Sequence, residues 1–194
     1  AVVSNRPAAA GLGYARAAGV PAEVVDHTRY PDRESFDLAL MARIDAYSPD
    51  LVVLAGYLRL FRVDAWRNRC INIHPALLPS YKGLHTHARA LADGVKIAGC
   101  TVHFVRPDMD VGPIVVQAAV PVLDGDSEDT LAARVLVEEH RIYAQAVRWF
   151  CEGRLTITPS KPHCFRQRSF SSSPCAVIGM PATSLNDGMM VETP

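Results

Sequence analysis

The sequence predicts an α/β fold, a mostly parallel twisted sheet with helices on both faces, and three observations carry that expectation. Short apolar runs alternate with segments of helical period along the first part of the chain, the order that yields parallel strands joined by crossover helices. The run Leu51-Val52-Val53-Leu54-Ala55 is apolar on both of its alternating faces, as a central strand covered on two sides requires. Two β-branched runs, Ala98 to Val105 and Ile114 to Val122, flank a loop holding Asp108, Asp110, Gly112 and Pro113, and read as two strands around a functional loop.

Taken in order, Ala1 to Val3 reads as a strand, Ala8 to Ala18 as a helix and Glu23 to Val25 as a second strand. Across Glu34 to Tyr47 the apolar residues Phe36, Leu40, Ile44 and Tyr47 recur at steps of four, four and three, opposite Arg43 and Asp45, which places one apolar stripe on a helix. Ser48 and Pro49 end it. Leu51 to Ala55 follows, broken by Gly56, with Cys70 to Ile73 expected as its neighbour in the sheet. A long helix begins near Asp126 or Ser127, both good N-cap residues, and carries Leu131, Val135, Ile142, Ala146 and Trp149 inward until Gly153 stops it. Leu155 to Thr158 adds a short strand. Beyond Pro159 serine, proline, glycine and methionine accumulate and helical period is lost, so residues 1–158 are expected to form the domain and 159–194 a disordered tail. The pair Gly11-Leu12-Gly13 sits inside a helical segment and is not a nucleotide-binding turn.

Bulk properties narrow the function. A chain of 194 residues suits one core. Twenty basic side chains balance twenty acidic ones, so no net field draws in nucleic acid or an anionic membrane. No apolar run is long enough to span a bilayer, and the first residues do not form a secretory leader. The five cysteines are scattered, without a CxxC pair, which suits reduced thiols in the cytoplasm.

The densest group of polar side chains able to do chemistry is Ile71-Asn72-Ile73-His74-Pro75-Ala76-Leu77-Leu78-Pro79, a strand running into a proline-bounded loop, and strand carboxyl ends are where ligands bind in open α/β sheets. Asn72 and His74 are two apart and leave a strand on the same side. An amide donor and an exchangeable proton side by side suit an acyl transfer, in which negative charge develops on a carbonyl oxygen. Asp110 lies beside Gly112, which lets backbone pass close to a ligand, and a carboxylate near His74 favours its imidazolium form. Each of these residues alone has an ordinary structural explanation as a turn former, a satisfied core histidine or a loop acid. His85 and His87 form an HxH pair and His103 follows, but no cysteine or acid completes a ligand set, and no metal is expected.

The order of Asn72-Ile73-His74-Pro75 with Leu77-Leu78-Pro79, Gly83-Leu84-His85-Thr86-His87, Thr101-Val102-His103-Phe104-Val105 and Asp110-Val111-Gly112-Pro113-Ile114 resembles the folate-dependent formyltransferase family over residues 1 to 158, and within it the branch acting on glycinamide ribonucleotide. The resemblance implies a Rossmann-like fold and transfer of the formyl group of 10-formyltetrahydrofolate to the amine of glycinamide ribonucleotide in purine synthesis. It implies His74 as proton donor, Asn72 as holder of the formyl oxygen and Asp110 as the carboxylate supporting His74. For the folate it implies Leu58, Arg59, Leu60 and Phe61, the loop Arg106, Pro107, Asp108, Met109 and Asp110, together with Asn72 and Arg33. For the ribonucleotide it implies Gly56, Pro75, Leu136, Val137, Glu138 and Glu139, with Glu139 the direct contact. Ordinary alternatives stand beside these assignments: Leu58 and Leu60 as core, Glu138 and Glu139 as a solvated helix face, Arg33 as a charge in a helix's first turn.

The chain opens on what resembles the family's second strand, so the first strand, the phosphate-holding loop and the first helix are expected to be missing from it. Two functions follow: a formyltransferase, favoured by Asn72, His74 and Asp110, or a catalytically silent folate-binding protein, favoured by the missing loop. Another enzyme using formyltetrahydrofolate, such as the deformylase, shares the trio; balanced charge and Gly83 to His87 argue against a member acting on transfer RNA.

Overall fold

A computed structural model describes residues 1–56, 63–157 and 165–167, with 63–64 and 165–167 described by backbone alone. They fall into an N-terminal unit, Ala1–Asp50, and a larger unit beginning at Leu51. The fold is mixed α/β, with two parallel strand pairs and four α-helices among the described residues.

The N-terminal unit holds β1 (Val2–Ser4), α1 (Ala10–Ala17), β2 (Ala22–Val24) and α2 (Arg33–Asp45). β1 and β2 pair in parallel, Val3 opposite Glu23, as a strand-helix-strand crossover demands. α1 buries Leu12 and Ala15. α2 is capped by the Asp32 carboxylate, which accepts from the Ser35 amide at 2.8 Å, and it buries Phe36, Asp37 and Leu40. Helix α2 thus lies where its apolar stripe placed it; it ends at Asp45, and Tyr47 stays 39% exposed.

In the larger unit β3 (Val52–Leu54), β4 (Cys70–His74), β5 (Ile97–Phe104) and β6 (Ile114–Pro121) form one sheet in that order. β3 and β4 are parallel neighbours, as expected, while β4–β5 and β5–β6 are antiparallel. β3 lies at the edge of this sheet rather than its centre: Val52 and Leu54 are buried but Val53 is 43% exposed. Between β4 and β5 sits α3 (Thr86–Ala92), a helix that the apolar pattern did not reveal. α4 (Glu128–Cys151) starts at a reciprocal capping box between Ser127 and Thr130 and fully buries Leu131, Val135, Ile142 and Ala146. These pack with Ile71, Cys100, Val102, Phe104, Ala118 and Val120 into the core. Trp149, expected inward, is only half-buried, its ring under the Arg154 guanidinium at 5.6 Å. β7 (Leu155–Ile157) pairs antiparallel with β8 (Phe165–Gln167); the rest of the stretch after Pro159 lies outside the described residues. Among the described residues no helix is long and apolar enough to cross a membrane.

Candidate active site

The β4–β5 register decides which side chains meet. Asn72 stands opposite His103, and His74 opposite Thr101, so alternation along both antiparallel strands brings the four to one face. Beyond β4 the chain turns at once, the Ala76 amide bonding back to the His74 carbonyl at 2.8 Å. The Pro75–Pro79 loop is then fixed from the sheet. The Thr101 hydroxyl donates to the Ala76 carbonyl at 2.6 Å and accepts from the Leu78 amide at 3.1 Å and the Gln117 amide nitrogen at 3.0 Å. That uses one donor and both acceptor positions of a buried hydroxyl, and Gln117 also donates to the Leu78 carbonyl at 3.0 Å.

Asp110 comes from the loop between β5 and β6 and has a left-handed backbone, φ 50°, a conformation that Asp tolerates better than most side chains. The loop closes tightly, the Phe104 amide donating to the Pro113 carbonyl at 2.9 Å, with Gly112 where any side chain would collide with the Phe104 carbonyl. The Asp110 carboxylate then lies between two imidazoles: Oδ2 is 3.5 Å from His74 Nδ1, and Oδ1 is 3.8 Å from His103 Nε2. Oδ2 also accepts from the Gly83 amide at 2.8 Å.

Hydrogen-bond chemistry assigns the ring protons. His74 Nε2 is 2.9 Å from the Tyr81 carbonyl. A carbonyl only accepts, so Nε2 carries hydrogen, and Nδ1 faces the Asp110 carboxylate. His103 is buried, and burial is the main cause holding its pKa below the usual histidine range. Its Nδ1 donates to the Phe104 carbonyl at 3.2 Å; the neutral ring then has a bare Nε2, 3.4 Å from Asn72 Nδ2, as the acceptor. Asn72 keeps a second Nδ2 hydrogen for another acceptor, and its buried Oδ1 has no partner among the described residues. The group therefore presents an oriented amide donor and a carboxylate-supported imidazole on one face, which suits stabilising a developing oxyanion and moving a proton.

Asn72, His74 and Asp110 are thus brought together as the sequence anticipated. His103, read there as a weak metal candidate and as part of the stretch Thr101 to Val105, pairs with Asn72; the one signal that could have drawn attention to it is its place on an alternating strand. Among the described residues no cluster of three or more histidine, cysteine or acidic side chains forms a ligand set. Leu58, Arg59, Leu60 and Phe61 lie outside the described residues. Gly56 is exposed with φ 62°. Arg106 donates to Asn68 Oδ1 at 2.8 Å and to the Val105 carbonyl at 2.9 Å. Pro107, Asp108 and Met109 are exposed. Arg33 belongs to the N-terminal unit, its Nε 3.5 Å from Asp37. On α4, Leu136 is half-buried, Val137 is 68% exposed and Glu138 is paired with Arg141 at 2.6 Å. Burial alone pushes Glu139 up to about 7. A cleft of about 600 Å³ within the N-terminal unit is lined by Val24, Tyr30, Ala39, Ala42 and Arg43 among others, and by none of the residues named for catalysis.

A donor amide and a supported imidazole on an α/β sheet suit acyl-type transfer, and the chain belongs to the formyl transferase family, whose model matches residues 1–147. Among its relatives, the phosphoribosylglycinamide formyltransferase of Escherichia coli (strain K12) is 47% identical over 158 residues, covering 80% of this chain and 74% of the relative. The trifunctional purine biosynthetic protein adenosine-3 of Homo sapiens is 42% identical over 167 residues, 84% of this chain but 16% of that longer protein. In structure, the chain is similar to glycinamide ribonucleotide transformylase 1 from Symbiobacterium toebii, with a TM-score of 0.81 and 52% identity, covering 87% of this chain and 79% of that one.

Proposed function

We propose that the chain transfers the formyl group of 10-formyltetrahydrofolate to the amine of glycinamide ribonucleotide, a step of purine biosynthesis. The observation that carries the proposal is the meeting of Asn72, His74 and Asp110, with His74 Nδ1 3.5 Å from the Asp110 carboxylate, in a chain so similar to enzymes named for this reaction. The substrate amine attacks the formyl carbon, a C–N bond forms, and the carbonyl electron pair moves to oxygen. Asn72 Nδ2–H meets that oxygen. Collapse returns the pair, breaks the bond to the folate N10 and leaves N10 to take a proton, while the attacking nitrogen loses one. His74 donates the proton and Asp110 holds its imidazolium in place.

Leu58 to Phe61, Arg106 to Asp110 and Arg33 are assigned to the folate, and Gly56, Pro75 and Leu136 to Glu139 to the ribonucleotide, with Glu139 the direct contact. We place the protein in the cytoplasm, a setting that the free buried thiols of Cys70 and Cys100 support, and assign it no nucleic-acid partner, in keeping with its zero net charge. No metal takes part in the proposed chemistry. The test is formyl transfer measured directly with both substrates. His74→Ala, Asn72→Ala and Asp110→Asn are each expected to lower kcat by about 100-fold or more. A His74→Ala protein retaining over half of the rate, about 0.4 kcal/mol of barrier, would remove His74 from the chemistry.

A further inference from the structure

We infer that Arg89, on α3, is a positioning residue for the His74–Asp110 pair and acts through the backbone of Tyr81–Gly83; the inference rests on the catalytic assignment proposed above. This short segment touches both partners. The Tyr81 carbonyl accepts from His74 Nε2 at 2.9 Å, and the Gly83 amide donates to Asp110 Oδ2 at 2.8 Å. Its placement therefore sets the 3.5 Å separation of the two catalytic groups. No strand or helix holds it, and Tyr81, Gly83 and His85 all have left-handed backbones, with φ of 52°, 78° and 55°. Two of the three carry side chains that disfavour that conformation, so the segment needs support from outside itself.

α3 supplies the support. The Arg89 guanidinium lies over the Tyr81 ring, 5.5 Å from its centroid, and Nη1 donates to the Lys82 carbonyl at 2.7 Å. One planar fork thus grips a ring and a carbonyl on either side of the peptide that must stay put, a task suited to arginine and not to lysine. Arg89 is itself exposed and contributes nothing to the core.

Because the His74 Nε2 hydrogen is buried and bound to a carbonyl, it should exchange slowly and give a downfield proton resonance, identified by its loss in His74→Ala. In Arg89→Ala this resonance is expected to broaden or vanish, and kcat to fall by about 10-fold or more with KM little changed, since small misplacements of catalytic groups are costly. Arg89→Lys, which keeps the charge without the fork, is expected to recover only part of the loss. If Arg89→Ala keeps the resonance and a kcat within about twofold of the parent, the inference is overturned. Should Arg89→Ala also melt early, the same resonance in Arg89→Lys decides the matter. If His74→Ala keeps its rate while the resonance still depends on Arg89, the catalytic reading fails and the positioning by Arg89 stands.

Discussion

At Gly112 a built Cβ would lie 1.9 Å from the Phe104 carbonyl oxygen, and that carbonyl belongs to a strand that cannot move away. Gly112→Ala must therefore push the loop outward and carry Asp110 with it, breaking contacts of 2.8 Å to Gly83 and 3.5 Å to His74. We expect a loss of about 100-fold in formyl transfer and of about 2 to 4 kcal/mol in stability. Gly13→Ala, inside α1 with nothing within 4 Å of the new methyl, should instead stabilise by about 0.5 to 1 kcal/mol. Denaturant unfolding of the two variants checks both signs, and equal effects would contradict the steric account. Much of the site was legible at this scale, because Asn72 and His74 share a strand face and Asp110 sits in a Gly-Pro loop. The partnership of Asn72 with His103 was not, since it depends on a pairing register between residues distant in sequence.

The Tyr143 hydroxyl ties helix α4 to β3 and β4. Tyr143 OH donates to the Leu54 carbonyl at 2.6 Å and lies 3.1 Å from the Ile71 carbonyl, at the ends of β3 and β4 next to Asn72, and burial holds the phenol well above its usual range, so it stays a donor. Tyr143→Phe keeps the ring but leaves buried carbonyls short of a donor, at an expected cost of about 1 to 3 kcal/mol. That corresponds to about 2 to 4 °C in Tm for each kcal/mol, and an unchanged Tm would show that the carbonyls find other partners. The elements legible in the sequence were those with long periodicity or a clear cap: α2 behind Asp32, α4 behind Ser127, and β5 and β6 with their β-branched runs. α3 was hidden because it is seven residues long and begins after His85, which has a left-handed backbone and makes no side-chain cap. The antiparallel turn of the sheet at β4–β5 was equally silent, since an apolar run does not state the direction of its neighbour. Trp149 fell on the predicted stripe, yet near the end of α4 that stripe faces Arg154 as well as core.

For the molecule as a whole, pH reports how the larger unit carries its buried charge. Glu139 has an ordinary value of 4.5, pushed up to about 7 by burial alone. A carboxyl raised on folding binds more protons in the native state than in the unfolded chain between those two values, so its contribution is full below about 4.5 and declines as pH rises to about 7. The amplitude is on the order of 3 kcal/mol. His87 and His103, both held low mainly by burial, act in the opposite sense, being penalised as pH falls below the usual histidine value, so the parent melting curve mixes the two. Asp126, held low by its bonds to Arg134, loses its contribution only as pH falls below the ordinary 3.8, outside the Glu139 window. The measurement is therefore the difference in Tm between Glu139→Gln and the parent across pH 4 to 8. It should grow in favour of the variant from about pH 4.5 to 7, reaching several degrees, and then level off. A difference that stays flat over that range would mean that the Glu139 carboxylate is solvated or paired in the folded protein. A difference that grows only without glycinamide ribonucleotide, and disappears when it is added, would mark Glu139 as the group that the ligand covers and hydrogen-bonds.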